Sequence, residues 1–98
     1  MEITHDKRRG VFETLVDGQE AHLTYRLSEG ELDVRHTIVP APIEGRGIAS
    51  ALVKAAFDYA LEEGLKPVGT CPYAALWLKR HPEYKGECGK DFNGTCAI

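Results

Sequence analysis

The 98-residue sequence predicts an α/β (α+β) domain with a mixed, mainly antiparallel sheet and two helices. Three patterns support this prediction. Up to residue 39, apolar and polar side chains alternate in short runs separated by turn residues, which is typical of strands joined by hairpins. A glycine turn at residues 45–47 then links an extended segment to an alanine-rich helical segment. A short apolar run and a second helical segment follow, which gives a strand–helix–strand–helix order.

Three strands are predicted in the N-terminal part of the chain, at residues 9–16, 21–27 and 32–39. The dipeptide Asp17-Gly18 is a hairpin turn signal between the first two strands. The turn SEG, residues 28–30, separates the second strand from the third. Because such short links join neighbouring strands, we expect an antiparallel meander.

Two helices and a buried strand are predicted in the second half of the chain. The first helix runs from residue 47 to 63, because four apolar residues recur at helical spacing. This apolar stripe comprises Ile48, Leu52, Ala56 and Tyr59. Gly64 is well placed to end the helix, and residues 65–71 form a strand after a parallel, right-handed crossover. The second helix is predicted at residues 72–80, and Pro82 ends it.

Length and charge restrict the class of protein. The chain is long enough for one small domain, with residues 85–98 as a polar C-terminal tail. A net charge of −3 and a pI near 5.8 argue against nonspecific nucleic-acid binding. No apolar run is long enough to span a membrane, and charged residues at the N-terminus argue against a signal peptide. We therefore expect a cytoplasmic protein, monomeric or weakly homodimeric, with no membrane or nucleic-acid partner.

The cysteines and the potential metal ligands give no further site. Three cysteines are an odd number and do not form a complete disulfide framework. Cys88 and Cys96 lie in the polar, glycine-rich tail and are interpreted as incidental. Because the cysteine spacing matches no zinc pattern, no metal site is predicted.

The stretch VPAPIEGRGIASAL, residues 39–52, is predicted to bind an anionic group. Its two prolines end the strand and delay the helix, so the glycine turn lies directly before the helix start. The first N–H groups of a helix lack intrahelical partners and lie at the positive end of the macrodipole. The missing Lys-Ser/Thr pair excludes a P-loop, and the missing third glycine excludes a dinucleotide fingerprint. A turn that binds nothing remains the alternative.

The segment EGRGIAS resembles the acetyl-CoA-binding motif of the GCN5-related N-acetyltransferases, Gln/Arg-x-x-Gly-x-Gly/Ala. Glu44 takes the Gln/Arg position, Gly47 the glycine and Ala49 the final small residue. With the segments HTIVP and CPYAALWLKRHPEY included, the chain resembles the short branch of that superfamily. The resemblance extends from about Glu13 to Tyr84. The resemblance implies acetyl-CoA as the cofactor and a minimal form of the superfamily's fold.

The resemblance also implies which residues bind the cofactor. Backbone amides of residues 45–50 would hold the pyrophosphate, and the end of the third strand would pair with the pantetheine arm. Arg46 would reach a phosphate. Glu44 departs from the motif, which has Gln or Arg at this position. A carboxylate beside a pyrophosphate weakens binding unless it points away. The predicted cofactor-binding residues are Ile38, Val39, Glu44, Gly45, Arg46, Gly47, Ile48, Ala49 and Ser50.

Cys71 is the first candidate catalytic residue. It ends the predicted buried strand, and ligands of α/β sheets collect at the carboxyl ends of strands. It also directly precedes a helix start, whose dipole favours the thiolate. The resemblance places this cysteine close to the thiol end of the cofactor. The alternative interpretation is a buried cysteine that packs as a small apolar residue.

His36 and Tyr73 are the other candidate catalytic residues. Strand alternation places His36 on the same face as Leu32 and Val34. From there it could take a proton from an acceptor amine or from Cys71, although a hydrogen-bonded core histidine is the alternative. The resemblance implies that Tyr73 protonates the leaving CoA thiolate, with packing at the rim as the alternative.

The predicted function is the transfer of an acetyl group from acetyl-CoA to an amine acceptor, on a small molecule or on a protein. The Asp17-Gly18 turn stands where larger relatives carry acceptor-binding helices, which leaves an open groove suited to an exposed protein amine. Transfer is either direct or passes through an acetylated Cys71. A non-catalytic CoA-binding or interaction module is the alternative function, and a scaffold whose glycine turn binds nothing is a third.

Overall fold

The computed structural model describes residues 1–96 and 98, which form one mixed sheet and two α-helices. The strands are β1 (Ile3–Asp6), β2 (Val11–Val16), β3 (Gln19–Ser28), β4 (Glu31–Ile38), β5 (Lys66–Gly69) and β6 (Glu87–Cys88). The helices are α1 (Ile48–Glu62) and α2 (Pro72–Arg80), and short 3-10 segments lie at Ala41–Ile43 and Pro82–Tyr84. The predicted fold class is confirmed.

The strands lie in the sheet in chain order, β1-β2-β3-β4-β5-β6. The first four are antiparallel neighbours, as the short turns between them require. β5 is parallel to β4 and β6 is parallel to β5, and each of these two connections contains one helix. The two edge strands are not predicted by the sequence. β1 is only four residues long, and β6 lies inside the segment expected to be a polar tail.

Both helices pack on the same face of the sheet. Side chains from α1, α2 and alternate positions of the central strands form one buried cluster. Its largest fully buried members are Phe57, Leu23, Leu32, Ile43, Leu52 and Leu78. Full burial of one such side chain contributes about 1.5–3 kcal/mol relative to an exposed one. Glu13 and His22 are cross-strand neighbours at alternating positions, and they point to the opposite face of the sheet.

The ends of the helices follow local sequence signals. Gly47 is the N-cap of α1 with φ 75°, and Gly64 follows its last turn with φ 71°. The N–H groups of Gly64 and Leu65 donate to the carbonyls of Leu61 and Ala60, which is a Schellman motif. The predicted role of Gly64 and the predicted bounds of α2 are therefore confirmed. Within the described part of the chain, no helix has the length and apolar character needed to cross a membrane.

A β-bulge in β4 reverses the expected facing of its last residues. Val34 pairs with Tyr25 and His36 pairs with Thr24, so Arg35 is an extra residue without a partner on β3. One extra residue shifts the alternation by one position. The prediction that His36 shares a face with Val34 is therefore wrong, and His36 is exposed.

The C-terminal segment is attached to the sheet, and its two cysteines form a disulfide. β6 pairs with β5 through Cys88 and Gly69, after which the chain turns back so that Phe92 N–H donates to the Gly89 carbonyl. This turn brings the Cα of Cys96 to 5.9 Å from that of Cys88, a separation typical of disulfides. The interpretation of these cysteines as incidental is therefore wrong, because an odd cysteine count permits one pair and one free thiol.

Candidate active site

The candidate site begins where β4 and β5 separate. β5 pairs with β4 from Glu31 to Val34, while β4 continues to Ile38. The carbonyl of Val34 accepts hydrogen bonds from the N–H groups of both Thr70 and Cys71, at 3.1 and 3.0 Å. The chain then leaves the sheet and enters α2. Within the described residues, β4 therefore has no strand partner on this side after Val34, and its edge is open to an extended ligand.

The glycine turn supplies the second part of the site. Gly45 and Gly47 have φ values of 79° and 75°, in the left-handed region that favours glycine. Apart from the residues next to each glycine in the chain, no heavy atom lies within 4 Å of either Cβ position, so open space faces both glycines. The first turn of α1 has no acidic residue and no side-chain cap. Its N–H groups, from Ile48 to Ser50, are available to an anion.

An open pocket of about 260 Å³ joins this turn to the start of α2. It is lined by Val39, Ile43, Glu44, Gly45, Gly47, Ile48, Ala49, Ser50 and Tyr73. Tyr73 is 38% exposed. The structure thus brings eight residues of the sequence-predicted site around one pocket, and it adds the buried Ile43. Their roles in binding stay predictions.

Two predicted binding residues lie outside this pocket lining. The guanidinium of Arg46 forms an exposed ion pair with the carboxylate of Asp17, in the turn between β2 and β3. Ile38 is 50% exposed at the end of β4. Arg46 must therefore exchange its partner before it can reach a phosphate in the pocket.

A larger groove lies at the other edge of the sheet. Its volume is about 410 Å³. It is lined by Glu2, Thr4, Glu13, Thr14, Leu15 and Glu20. Three carboxylates with no basic residue in the lining disfavour an anionic ligand. We therefore place the candidate site at the glycine turn, although its pocket is smaller.

Cys71 lies beside the open edge of β4. It is the N-cap residue of α2, it is 7% exposed, and it is the free cysteine of the chain. Its thiol donates to the Thr37 hydroxyl, with 3.7 Å between sulfur and oxygen. Sequence reasoning missed Thr37, because only the bulge turns this residue toward the helices. Since successive strand residues point to opposite faces, His36 points away from Cys71, and direct proton transfer between these two side chains is excluded.

A polar network crosses the opposite side of the opening. Asp33 accepts hydrogen bonds from the backbone N–H and the hydroxyl of Thr70, at 3.2 and 3.0 Å. Arg35, the bulge residue, donates to Asp33 at 3.0 Å and to Asp91 at 2.9 Å. These two carboxylates, Asp33 first, raise the pKa of the Arg35 guanidinium. The network joins β4, the end of β5 and the C-terminal loop. In residues 1–96 and 98, no group of three or more His, Cys, Asp or Glu side chains could hold a metal ion.

Comparisons with known proteins agree with this architecture. The fold and the pocket define an α/β domain with an open strand edge beside a glycine turn at a helix start. A profile of the family described as GCN5-related N-acetyl-transferase matches residues 11–87. The chain belongs to this family.

Similar proteins include several from vertebrates. Protein NATD1 of Homo sapiens is 40% identical over 83 residues, which cover 82% of this chain and 74% of that protein. Protein NATD1 of Xenopus tropicalis is 39% identical, over 82% of this chain and 76% of its own length. A solution NMR structure of a GCN5-like protein from Staphylococcus aureus has a TM-score of 0.68 and 27% identity. That alignment covers 90% of this chain and 87% of the other.

Proposed function

We propose that this protein transfers an acetyl group from acetyl-CoA to an amine acceptor. The observation that carries the proposal is the continuity of the site. Val39, which follows the open edge of β4, and Tyr73, two residues after Cys71, both line the pocket at the helix start, so the open edge and the Cys71–Thr37 pair border the same pocket. Membership in the acetyltransferase family supports the same chemistry.

The coenzyme's pyrophosphate binds at the first turn of α1. Its oxygens accept hydrogen bonds from the N–H groups of residues 48–50, and the helix dipole stabilises the negative charge. The left-handed glycines 45 and 47 support this placement, because no side chain stands between the phosphates and the backbone. Glu44 lines the pocket but is exposed, so its side chain can turn into solvent, away from phosphates whose binding a nearby carboxylate would weaken.

The pantetheine arm lies along the open edge of β4. This arm contains amide groups, and the backbone of residues 35–38 has no strand partner on that side within the described residues. Ile38 and Val39 pair with the arm in the way a neighbouring strand would. The arm then leads from the helix start toward Cys71, which brings the acetyl thioester between β4 and α2.

Acetyl transfer is direct in this proposal. The amine nitrogen attacks the thioester carbonyl, the carbon–sulfur bond breaks, and the amine loses a proton. Tyr73, on the pocket rim, gives a proton to the departing CoA thiolate. The hydrogen-bond partner of Cys71 is the Thr37 hydroxyl, which is not a base that would generate a nucleophilic thiolate. This contact disfavours an acetyl-cysteine intermediate.

The acceptor reaches the thioester from the face of the sheet that the helices leave uncovered. His36 lies exposed on that face, and in this proposal it takes the proton of the acceptor amine. Within the described residues, no helix covers this face, and the Asp17-Gly18 turn and the bulge lie at its border. An amine on the surface of another protein can approach such an open site as readily as a small amine can.

Calorimetric titration with acetyl-CoA, followed by transfer assays on a panel of amines, tests the proposal. We expect saturable binding and an acceptor whose mass increases by one acetyl group. The panel should contain small primary amines and lysine-containing peptides. Binding without transfer to any amine would leave a non-catalytic CoA-binding module. The absence of binding would overturn the proposal.

A further inference from the structure

Trp77 joins the second helix to the start of the first. Its indole N–H donates to the Ser50 Oγ at 3.1 Å. Ser50 is in the first turn of α1 and lines the pocket at the glycine turn. Trp77 itself is 5% exposed and does not line that pocket. Trp77 therefore contacts a pocket residue from the protein interior and not from the pocket.

The hydrogen bond from Trp77 determines which hydrogen bonds the Ser50 hydroxyl can still form. An indole N–H is only a donor, whereas a hydroxyl is one donor and two acceptor lone pairs. Because Ser50 accepts from Trp77, its own proton must point elsewhere. Within the described residues, the Ser50 hydroxyl donates to no acceptor. The proton is thus available to an acceptor atom in the pocket.

The indole ring is held firmly in place. The imidazole of His81 stacks on it, with 3.8 Å between ring centroids and an interplanar angle of 18°. Phe57 and Tyr84 pack against it at centroid distances of 5.8 and 4.8 Å. His81 also donates from Nδ1 to the backbone carbonyl of Trp77 at 2.7 Å. A donor fixed by packing orients its acceptor at little entropic cost.

We propose that Trp77 is a positioning residue for anion binding at the start of α1. It holds the Ser50 hydroxyl so that its proton points to a phosphate oxygen of the bound coenzyme. The inference rests on the proposed function, because it assigns the phosphate group to this pocket. A hydrogen bond to a charged oxygen is stronger than one between neutral groups, so orienting this donor increases affinity for the coenzyme.

A double-mutant cycle on acetyl-CoA affinity tests the inference. Ser50→Ala removes the hydroxyl, and Trp77→Phe keeps an aromatic ring but removes the N–H. We expect each single variant to raise the Kd for acetyl-CoA about fivefold, and the double variant to bind no more weakly than Ser50→Ala. Additive losses in the double variant would show that Trp77 acts through packing alone, and would overturn the inference.

Tyr84→Phe is the matched control. Tyr84 belongs to the same aromatic cluster, and its hydroxyl donates to Asp58 at 2.6 Å, away from the pocket. This variant loses a hydrogen bond of the cluster, so we expect lower thermal stability with an unchanged Kd. A Kd raised as much as in Trp77→Phe would overturn the inference, because any disturbance of the cluster would then suffice.

The single tryptophan provides a second measurement that does not depend on protein stability. Its indole N–H gives one signal in a nitrogen–proton correlation spectrum, because the chain contains one tryptophan. We expect acetyl-CoA to shift this signal in the wild type and to leave it nearly unchanged in Ser50→Ala. An equal shift in Ser50→Ala would overturn the positioning role while leaving the proposed function intact. A wild-type chain without affinity for acetyl-CoA would overturn both.

Discussion

The thiol of Cys71 donates to the hydroxyl of Thr37 across the opening between β4 and α2. Two different features of the fold create this contact. The bulge at Arg35 turns Thr37 toward the helices, and the end of β5 places Cys71 at the N-cap of α2. In the proposed function, the acetyl thioester lies at this contact. It also gives the thiol a neutral partner instead of a base.

Replacement of Cys71 distinguishes the two routes of transfer. If transfer is direct, Cys71→Ala should keep most of the transfer rate, because the attacking group is the acceptor amine. Incubation of the wild type with acetyl-CoA and no acceptor should give no acetylated protein by intact mass. An acetyl group on Cys71 that hydroxylamine releases, together with an inactive Cys71→Ser variant that still binds the coenzyme, would establish the covalent route instead. A variant with Cys88→Ser and Cys96→Ser controls for acetylation of these two cysteines in protein whose disulfide has been reduced.

Substitution of Gly47 tests the anion site. Gly47→Glu should weaken acetyl-CoA binding at least tenfold, about 1.4 kcal/mol, by placing bulk and negative charge where the pyrophosphate binds. The measurement is the Kd from calorimetry, with the thermal unfolding midpoint recorded in parallel. A folded Gly47→Glu protein with the wild-type Kd would place the coenzyme elsewhere.

Gly30→Glu is the matched control for this substitution. Gly30 has φ 80° and, like Gly47, open space at its Cβ position. A side chain at either position therefore carries a similar backbone strain, roughly 1–2 kcal/mol. Gly30 lies in the turn between β3 and β4 and is not in the pocket lining. We expect Gly30→Glu to lose similar stability and to keep its affinity for acetyl-CoA.

How much of this fold the sequence predicts depends on how local the signal is. Gly64 ends α1 and Pro72 starts α2 as expected, because capping depends on a few neighbouring residues. The glycine turn follows from the same kind of signal, whereas the assignment of Glu44, Ala49 and Tyr73 to its pocket comes from the family resemblance. The bulge at Arg35 has no such signature, since it depends on the register between β3 and β4. The facing of His36 and the contact of Thr37 could therefore not be predicted.

Substitution of Glu44 tests the position at which the chain departs from the coenzyme-binding motif. Glu44→Arg should bind acetyl-CoA as well as the wild type or better, because it replaces a negative charge at the pocket rim with a positive one. Its affinity should fall more steeply as salt is raised, since exposed charges are screened. Glu83→Arg makes the same change of net charge at an exposed position outside the pocket. If Glu44→Arg clearly lost affinity and Glu83→Arg did not, the Glu44 carboxylate would itself contribute to coenzyme binding.

The disulfide between Cys88 and Cys96 is expected to stabilise the folded protein. Cys88 and Cys96 are separated by eight residues, and in the chain-entropy model a crosslink over such a loop stabilises a protein by about 2–3 kcal/mol. The loop is part of the folded unit. Gly89 N–H donates to the Gly69 carbonyl at 3.1 Å, and Asp91 pairs with Arg35. We therefore expect dithiothreitol to lower the thermal unfolding midpoint by several degrees.

Replacing both cysteines by serine separates the crosslink from other effects of the reductant. The unfolding midpoint of the Cys88→Ser, Cys96→Ser variant should equal that of the reduced wild type and should not respond to dithiothreitol. Thiol titration under denaturing conditions should give one thiol in the oxidised wild type, that of Cys71, and three after reduction. Equal midpoints for oxidised and reduced wild type would show that the loop opens independently of the core. In that case the Asp91–Arg35 pair would not stabilise the bulge beside the site.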